Sequence, residues 1–392
     1  MLAGALRAVA GALVAAYLVP AAGTGDGPAR WTGRVHLPGV VDVGGPRSDG
    51  RVVVSGGSRL YLLDRSTDTL TPFADGPGGY TGGGGDEPYL AVSPGGQVPG
   101  AGCEFAPDDV YVLRPNAAEV VRVGADGRAH RFAHLSGVRS LNGIAFDTAG
   151  RFGRRLLVSG PGRNGNLVVA IDCHGRAVTV TTTAPAMEGG MAVAPSGFGA
   201  FAGDLVAPDE LSGRVLAVRP DGSTAVVVDS GLPTGQDVGV EGLGFVPSGF
   251  GRGGVALFAD RSTPGNPHPG TGSLLALDAR SLVEAGVREG DLLVATEGGA
   301  RTIVVRCAPD CRAAPVAAGP AVAHGEGHLL LVADHPGPPP PALPAAADLG
   351  RGSGPSPATL TAGVAAGLLS AALLAALVLL GLGWVRRRRG SS

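Results

Sequence analysis

The sequence predicts an all-β fold, a β-propeller that is most consistent with six blades, followed by one C-terminal transmembrane helix. Two repeats carry the propeller. One short phrase recurs as Asn142-Gly-Ile-Ala-Phe, Glu188-Gly-Gly-Met-Ala-Val and Glu241-Gly-Leu-Gly-Phe, and more loosely as Glu87-Pro-Tyr-Leu-Ala-Val. The opening polar residues stand 55, 46 and 53 positions apart, the spacing of propeller blades. After three of the phrases comes a glycine-rich turn and then two apolar stretches, such as Asp204-Leu-Val-Ala followed by Arg214-Val-Leu-Ala-Val. Such units bury their faces by radial repetition around an axis.

Each blade can be placed in order. Before Glu87, the stretches at residues 51–55, 59–64 and 70–73 supply a further blade. Val255-Ala-Leu-Phe-Ala and Ser273-Leu-Leu-Ala-Leu-Asp read as the strands that follow Glu241 in its own blade. From Glu241 to Glu326 the interval is 85 residues, too long for one plain blade. A Pro/Gly-rich insert at residues 260–272, a polar segment at 281–289 and strands at 292–296 and 302–306 fill it. The expected propeller spans residues 31–335, with strands from both chain ends closing one blade. Gly160-Pro-Gly-Arg-Asn-Gly165 fits a GxGxxG pattern, but a strand follows it, so it reads as a hairpin loop and not a dinucleotide site.

The chain ends point outside the cytoplasm. Residues 1–23 carry one arginine, an apolar run and small residues before a cleavage point, the layout of a secretory signal peptide. Residues 360–385 are free of charge and followed by four arginines, as expected of a single span with its C-terminal tail, 386–392, in the cytoplasm. The Pro/Gly-rich stretch 336–357 reads as a stalk between propeller and membrane. Gly363 and Gly367 are a small-xxx-small match that allows two spans to dimerise.

The 392 residues include 68 Gly and 32 Pro and no lysine, the bias of a GC-rich, actinobacterium-like genome. Taking the five arginines of the two termini from a net charge of −2 leaves −7 on the rest, which argues against a nucleic-acid partner. Four cysteines outside the expected span favour disulfides. Cys307 and Cys311 are close enough to close one turn, which leaves Cys103 to pair with Cys173.

The first strand of each propeller blade lines the axis, so the recurring polar residues are expected to converge there. These are Glu87, Asn142, Glu188, Glu241 and, from His324-Gly-Glu-Gly-His328, Glu326. The latter segment reads first as a blade opening and second as a separate metal trio. Several carboxylates aimed at one point repel unless protonated, hydrated or bridged by a cation, and oxygen ligands of this kind suit Ca²⁺ or another divalent cation. His268, in the insert, is a lesser candidate.

The openings Ser140-Leu-Asn-Gly-Ile-Ala-Phe-Asp and Glu87-Pro-Tyr-Leu-Ala-Val resemble those of the senescence-marker/gluconolactonase (regucalcin) superfamily, and Arg214-Val-Leu-Ala-Val-Arg-Pro-Asp-Gly is similar to its second repeat phrase. The resemblance implies six blades and, in the enzymes, lactone or ester hydrolysis with one axial divalent cation held by Glu, Asn and Asp. Glu87 and Asn142 match that set in type; Glu188 and Glu241 stand where an Asp is expected, and one of them would be the general base. The reading preferred from the sequence is a membrane-anchored extracytoplasmic propeller that binds a small molecule or envelope component; the alternative is a metal-dependent lactonase or esterase.

Overall fold

The computed structural model describes residues 29–83, 87–339 and 341–346. The expected signal peptide, span, Gly363/Gly367 pair and cytoplasmic tail lie outside them. Among the described residues no helix is long and apolar enough to cross a membrane.

Six sheets surround one axis. Blade I is Val40–Gly44, Val52–Gly56, Arg59–Asp64 and Thr69–Phe73, paired antiparallel in chain order. Blade II is Leu90–Val92, Val110–Arg114, Glu119–Val123 and Ala129–His134, with a hairpin, Gly96–Val98 and Cys103–Phe105, inserted after its first strand. Gly143–Phe146, Leu156–Pro161, Asn166–Ile171 and Ala177–Ala184 make blade III, so the GxGxxG stretch is the expected hairpin. Blade IV is Ala192–Val193, Leu205–Asp209, Arg214–Val218 and Thr224–Asp229.

The last two blades exchange strands. Val240–Phe245 opens blade V, but its hydrogen-bonded neighbour is Leu292–Thr296, followed by Thr302–Cys307 and Cys311–Ala318. Gly254–Asp260 and Ser273–Asp278 instead pair with Gly325–Ala333, the inner strand of blade VI, whose outer strand is the N-terminal Thr32–His36. The expectation that residues 255–278 continue the Glu241 blade is therefore corrected. The same exchange accounts for the 85-residue interval, since two strands of blade VI are threaded between the first and second strands of blade V. The expected closure by both chain ends is present in blade VI, and Ala29–Arg30 adds a parallel strand to the outside of blade V.

Each sheet is covered on both faces by its neighbours, so second strands are buried along their whole length: every residue of Val52–Gly56 and Leu205–Asp209 is buried. Outer strands alternate, as in Thr224–Asp229. Between blades II and III, Phe105, Tyr111, Phe132 and Phe146 pack edge to face, with Tyr111 and Phe132 centroids 4.8 Å apart. Trp31 closes the seam of blades V and VI, packing on Phe258 while its Nε1 donates to Thr302 Oγ1 at 2.8 Å.

Both expected disulfides are present, Cys103–Cys173 and Cys307–Cys311. The first ties the inserted hairpin of blade II to a turn of blade III across 70 residues. By loop-closure entropy, replacing both cysteines with serine is expected to cost about 2–4 kcal/mol. Urea unfolding of C103S/C173S checks this, and an unchanged midpoint would contradict it.

After blade VI the chain runs along the base of the propeller. Gly337 N donates to Ser248 O, Leu343 N to Ala149 O at 2.7 Å and Ala346 N to Arg151 O. The Leu343 side chain packs into the core of blades III and IV, on a spot left open by Gly203, whose φ is +80° and whose added Cβ would lie 2.8 Å from Leu343 Cδ1. This part of the expected stalk thus lies on the propeller.

Candidate metal centre and ligand cavity

At the mouth where the inner strands begin lies a cavity of about 380 Å³. Glu87, Glu188, Glu241 and Glu326, four of the five residues expected at the axis, line it. Asn142 does not. It lines an adjoining pocket, its Nδ2 donating to Met187 O at 2.8 Å while its Oδ1 accepts from Ser159 Oγ. Nor does the 324–328 segment act as a trio. His324 and Glu326 face the cavity, whereas His328 turns towards the other end of the axis, between Asp42 and Ile144 O. His268 docks on the backbone, its Nδ1 2.7 Å from Ala321 O.

The missed residues come from second-strand ends and loops: Glu210 after Leu205–Asp209, Asp237 before blade V, Arg261 and Thr263 after Gly254–Asp260, and Glu297 after Leu292–Thr296. Tyr89 closes the floor, with its Oη 3.2 Å from Glu241 Oε1 and in closer contact with Glu326 Oε1. A phenol has one proton, so one of these carboxyls supplies the other. Arg261 Nη1 bridges Glu87 and Glu326, at 2.5 and 3.1 Å. Gly189 explains the Glu-Gly-Gly phrase: its φ is +73°, and a Cβ there would lie 2.2 Å from Glu241 Oε1.

Electrostatics follow from so many acids in a dry place. Burial, then Glu326 and Glu188, drive the Glu241 carboxyl well up. Glu326 is pushed up to about 8 by burial and then Glu87, against the pull of Arg261. Glu210 also reaches about 8, through burial and then its hydrogen bond with Glu297. Glu188, exposed at the rim, is raised by partial desolvation and then by Glu87 and Glu297. The His324 imidazole is raised: desolvation opposes its charge, but Glu297 and Glu326 together outweigh it.

Ligand atoms of Asp237, Glu297 and His324 lie within 4.8 Å of one another, close enough to hold one metal ion. His324 is 2% exposed; its Nε2 is 2.8 Å from Glu297 Oε1, and its Nδ1 has no partner. A buried imidazole nitrogen without a partner, beside two carboxylates, fits a metal ligand set.

No family model matches the chain, and no curated protein matches it. Among solved structures, virginiamycin B lyase from Staphylococcus aureus aligns at 11% identity over 71% of this chain and 72% of that one, with a TM-score of 0.39. A streptogramin B lyase structure aligns at 10% identity over 73% and 72%, TM-score 0.42. A protein provisionally named a gluconolactonase aligns at 13% identity over 73% and 81%, TM-score 0.41. The assignment of six blades rests on the strand pairing itself, and no activity is drawn from these likenesses.

Proposed function

We propose that this chain is a surface-displayed binding propeller whose acidic mouth holds a divalent cation and, with it, a small ligand or envelope component. The observation that carries the reading is the Asp237/Glu297/His324 cluster within the carboxylate-lined cavity. An imidazole among the donors favours a metal such as Mn²⁺ or Zn²⁺ over Ca²⁺, whose ligands are oxygens. Two disulfides support an oxidising compartment, and the apolar run at residues 360–385 supports a membrane tether.

Calorimetry and elemental analysis test the cation. One Mn²⁺ or Zn²⁺ per chain is expected, with affinity reduced at least about tenfold in H324A and E297Q. Absence of binding at millimolar metal overturns the reading.

A second reading, hydrolysis of a lactone or ester, is favoured by the placement of Glu188. It is the rim carboxylate with raised proton affinity, facing the cavity that holds the metal cluster. A bound cation would supply carbonyl polarisation, and Glu188 would take a proton from attacking water. Metal-dependent turnover in a lactone and ester panel, lost in E188Q, would establish it; no turnover across the panel leaves the binder.

A further inference from the structure

The cavity opens sideways into the Asn142 pocket, of about 190 Å³, and Glu188, Glu210 and Gln236 line both. Across the two, eight carboxylates stand against one arginine, Arg261, which is already held by Glu87 and Glu326. No cationic side chain is left for an anionic ligand among the described lining residues, so at the junction, away from the metal cluster, an anion would lose its hydration without compensation. Away from the junction, the second pocket is largely uncharged, with Asn142, Met187 and Leu211 in its wall. Leu211 is 57% exposed at its edge, a large apolar side chain that the fold itself does not cover. The buried Nδ1 of His324, lacking any partner, is a separate sign that the acidic end is built to receive something.

We infer that the two pockets form one composite site for an organic cation, a protonated amine held at the junction by Glu188 and Glu210 with its uncharged body in the Asn142 pocket. This deepens the reading of the mouth as a ligand site, and it leaves the Asp237/Glu297/His324 cluster to the metal. An ammonium can donate three hydrogen bonds, which matches the Glu188 carboxylate, a carboxyl oxygen of Glu210 and the Gln236 amide oxygen at the shared wall.

The test uses the full chain and three probes that share a six-carbon body: 6-amino-1-hexanol, 1,6-hexanediol and 6-hydroxyhexanoate. The amine is expected to bind at least about tenfold more tightly than the diol, with no binding of the anion. In E188Q, a rim substitution that leaves the core intact, amine affinity is expected to fall about tenfold, and E188K is expected to abolish it. Equal binding of amine and diol, or amine binding unchanged in E188Q, overturns the inference. Mn²⁺ is titrated separately. Amine binding without Mn²⁺ binding sinks the metal reading and leaves this inference standing, whereas Mn²⁺ binding without amine binding sinks this inference alone.

Discussion

Asp42→Ala is expected to destabilise the protein by roughly 3–5 kcal/mol, the cost of leaving a buried charge without its partner. Asp42 is fully buried on the axis and accepts hydrogen bonds from Leu90 N, His328 N and the His328 ring, with Nδ1 at 2.9 Å from Oδ2. The His328 proton affinity is raised: desolvation opposes it, but the Asp42 charge and hydrogen bonds prevail. Removing the carboxylate, which blade I supplies, strands that imidazole and two backbone N–H groups on blades II and VI. Asp42→Asn keeps the backbone acceptor and is expected to recover part of the loss. Urea unfolding of the two variants checks this; a D42A midpoint close to that of the native chain would show that the axis does not depend on the pair.

The second large effect is the pH dependence of the metal-free protein. Glu210 and Glu326 hold their protons to about pH 8 in the folded chain, against 4.5 for an ordinary glutamate, and Glu241 is also driven up. The folded state therefore binds more protons than the unfolded chain between these limits, and stability falls as pH rises through them. His324 and His328, both raised, act in the same direction: their contribution is complete below about 6.5 and fades as pH passes their folded values. A loss of several kcal/mol is expected between pH 5 and 8, read as a falling Tm. A divalent cation binds the deprotonated ligands best, so metal should restore Tm most at the alkaline end. A flat or rising Tm in metal-free protein would mean that these carboxyls are hydrated and charged.

The sequence revealed the blade repeat and the axial carboxylates because both are written in inner strands or the few residues before them, where every repeat must satisfy the same packing. Glu87, Glu188, Glu241 and Glu326 were legible for that reason. Glu210, Asp237, Arg261 and Glu297 were not, since they sit beyond strand ends whose lengths do not repeat. The pairing of Cys103 with Cys173 followed from elimination alone. Asn142 shows the limit of the phrase: it opens its blade like the others, yet its amide is drawn aside to Met187 O and faces the adjoining pocket. Asp42 was missed because Val41-Asp42-Val43 lacks the glycine of the recurring phrase, although it stands 45 positions before Glu87. The strand exchange was hidden more deeply. Backbone hydrogen bonds do not read side chains, and Val255-Ala-Leu-Phe-Ala suits the second position of either blade. The interval of 85 residues was the only trace of it.

That exchange makes the last third of the ring behave as a knot-like clasp in assembly. Neither of its two sheets can be finished until the other has received its middle strands, and both await the first residues of the domain for their outer edges. The nine strands of this pair form one cooperative block, while the four blades before it are each complete in chain order and can settle as they emerge. Ring closure is therefore a late, long-range event. The ligand mouth depends on it, because Glu241, Glu297, Arg261, His324 and Glu326 all come from the block that forms last.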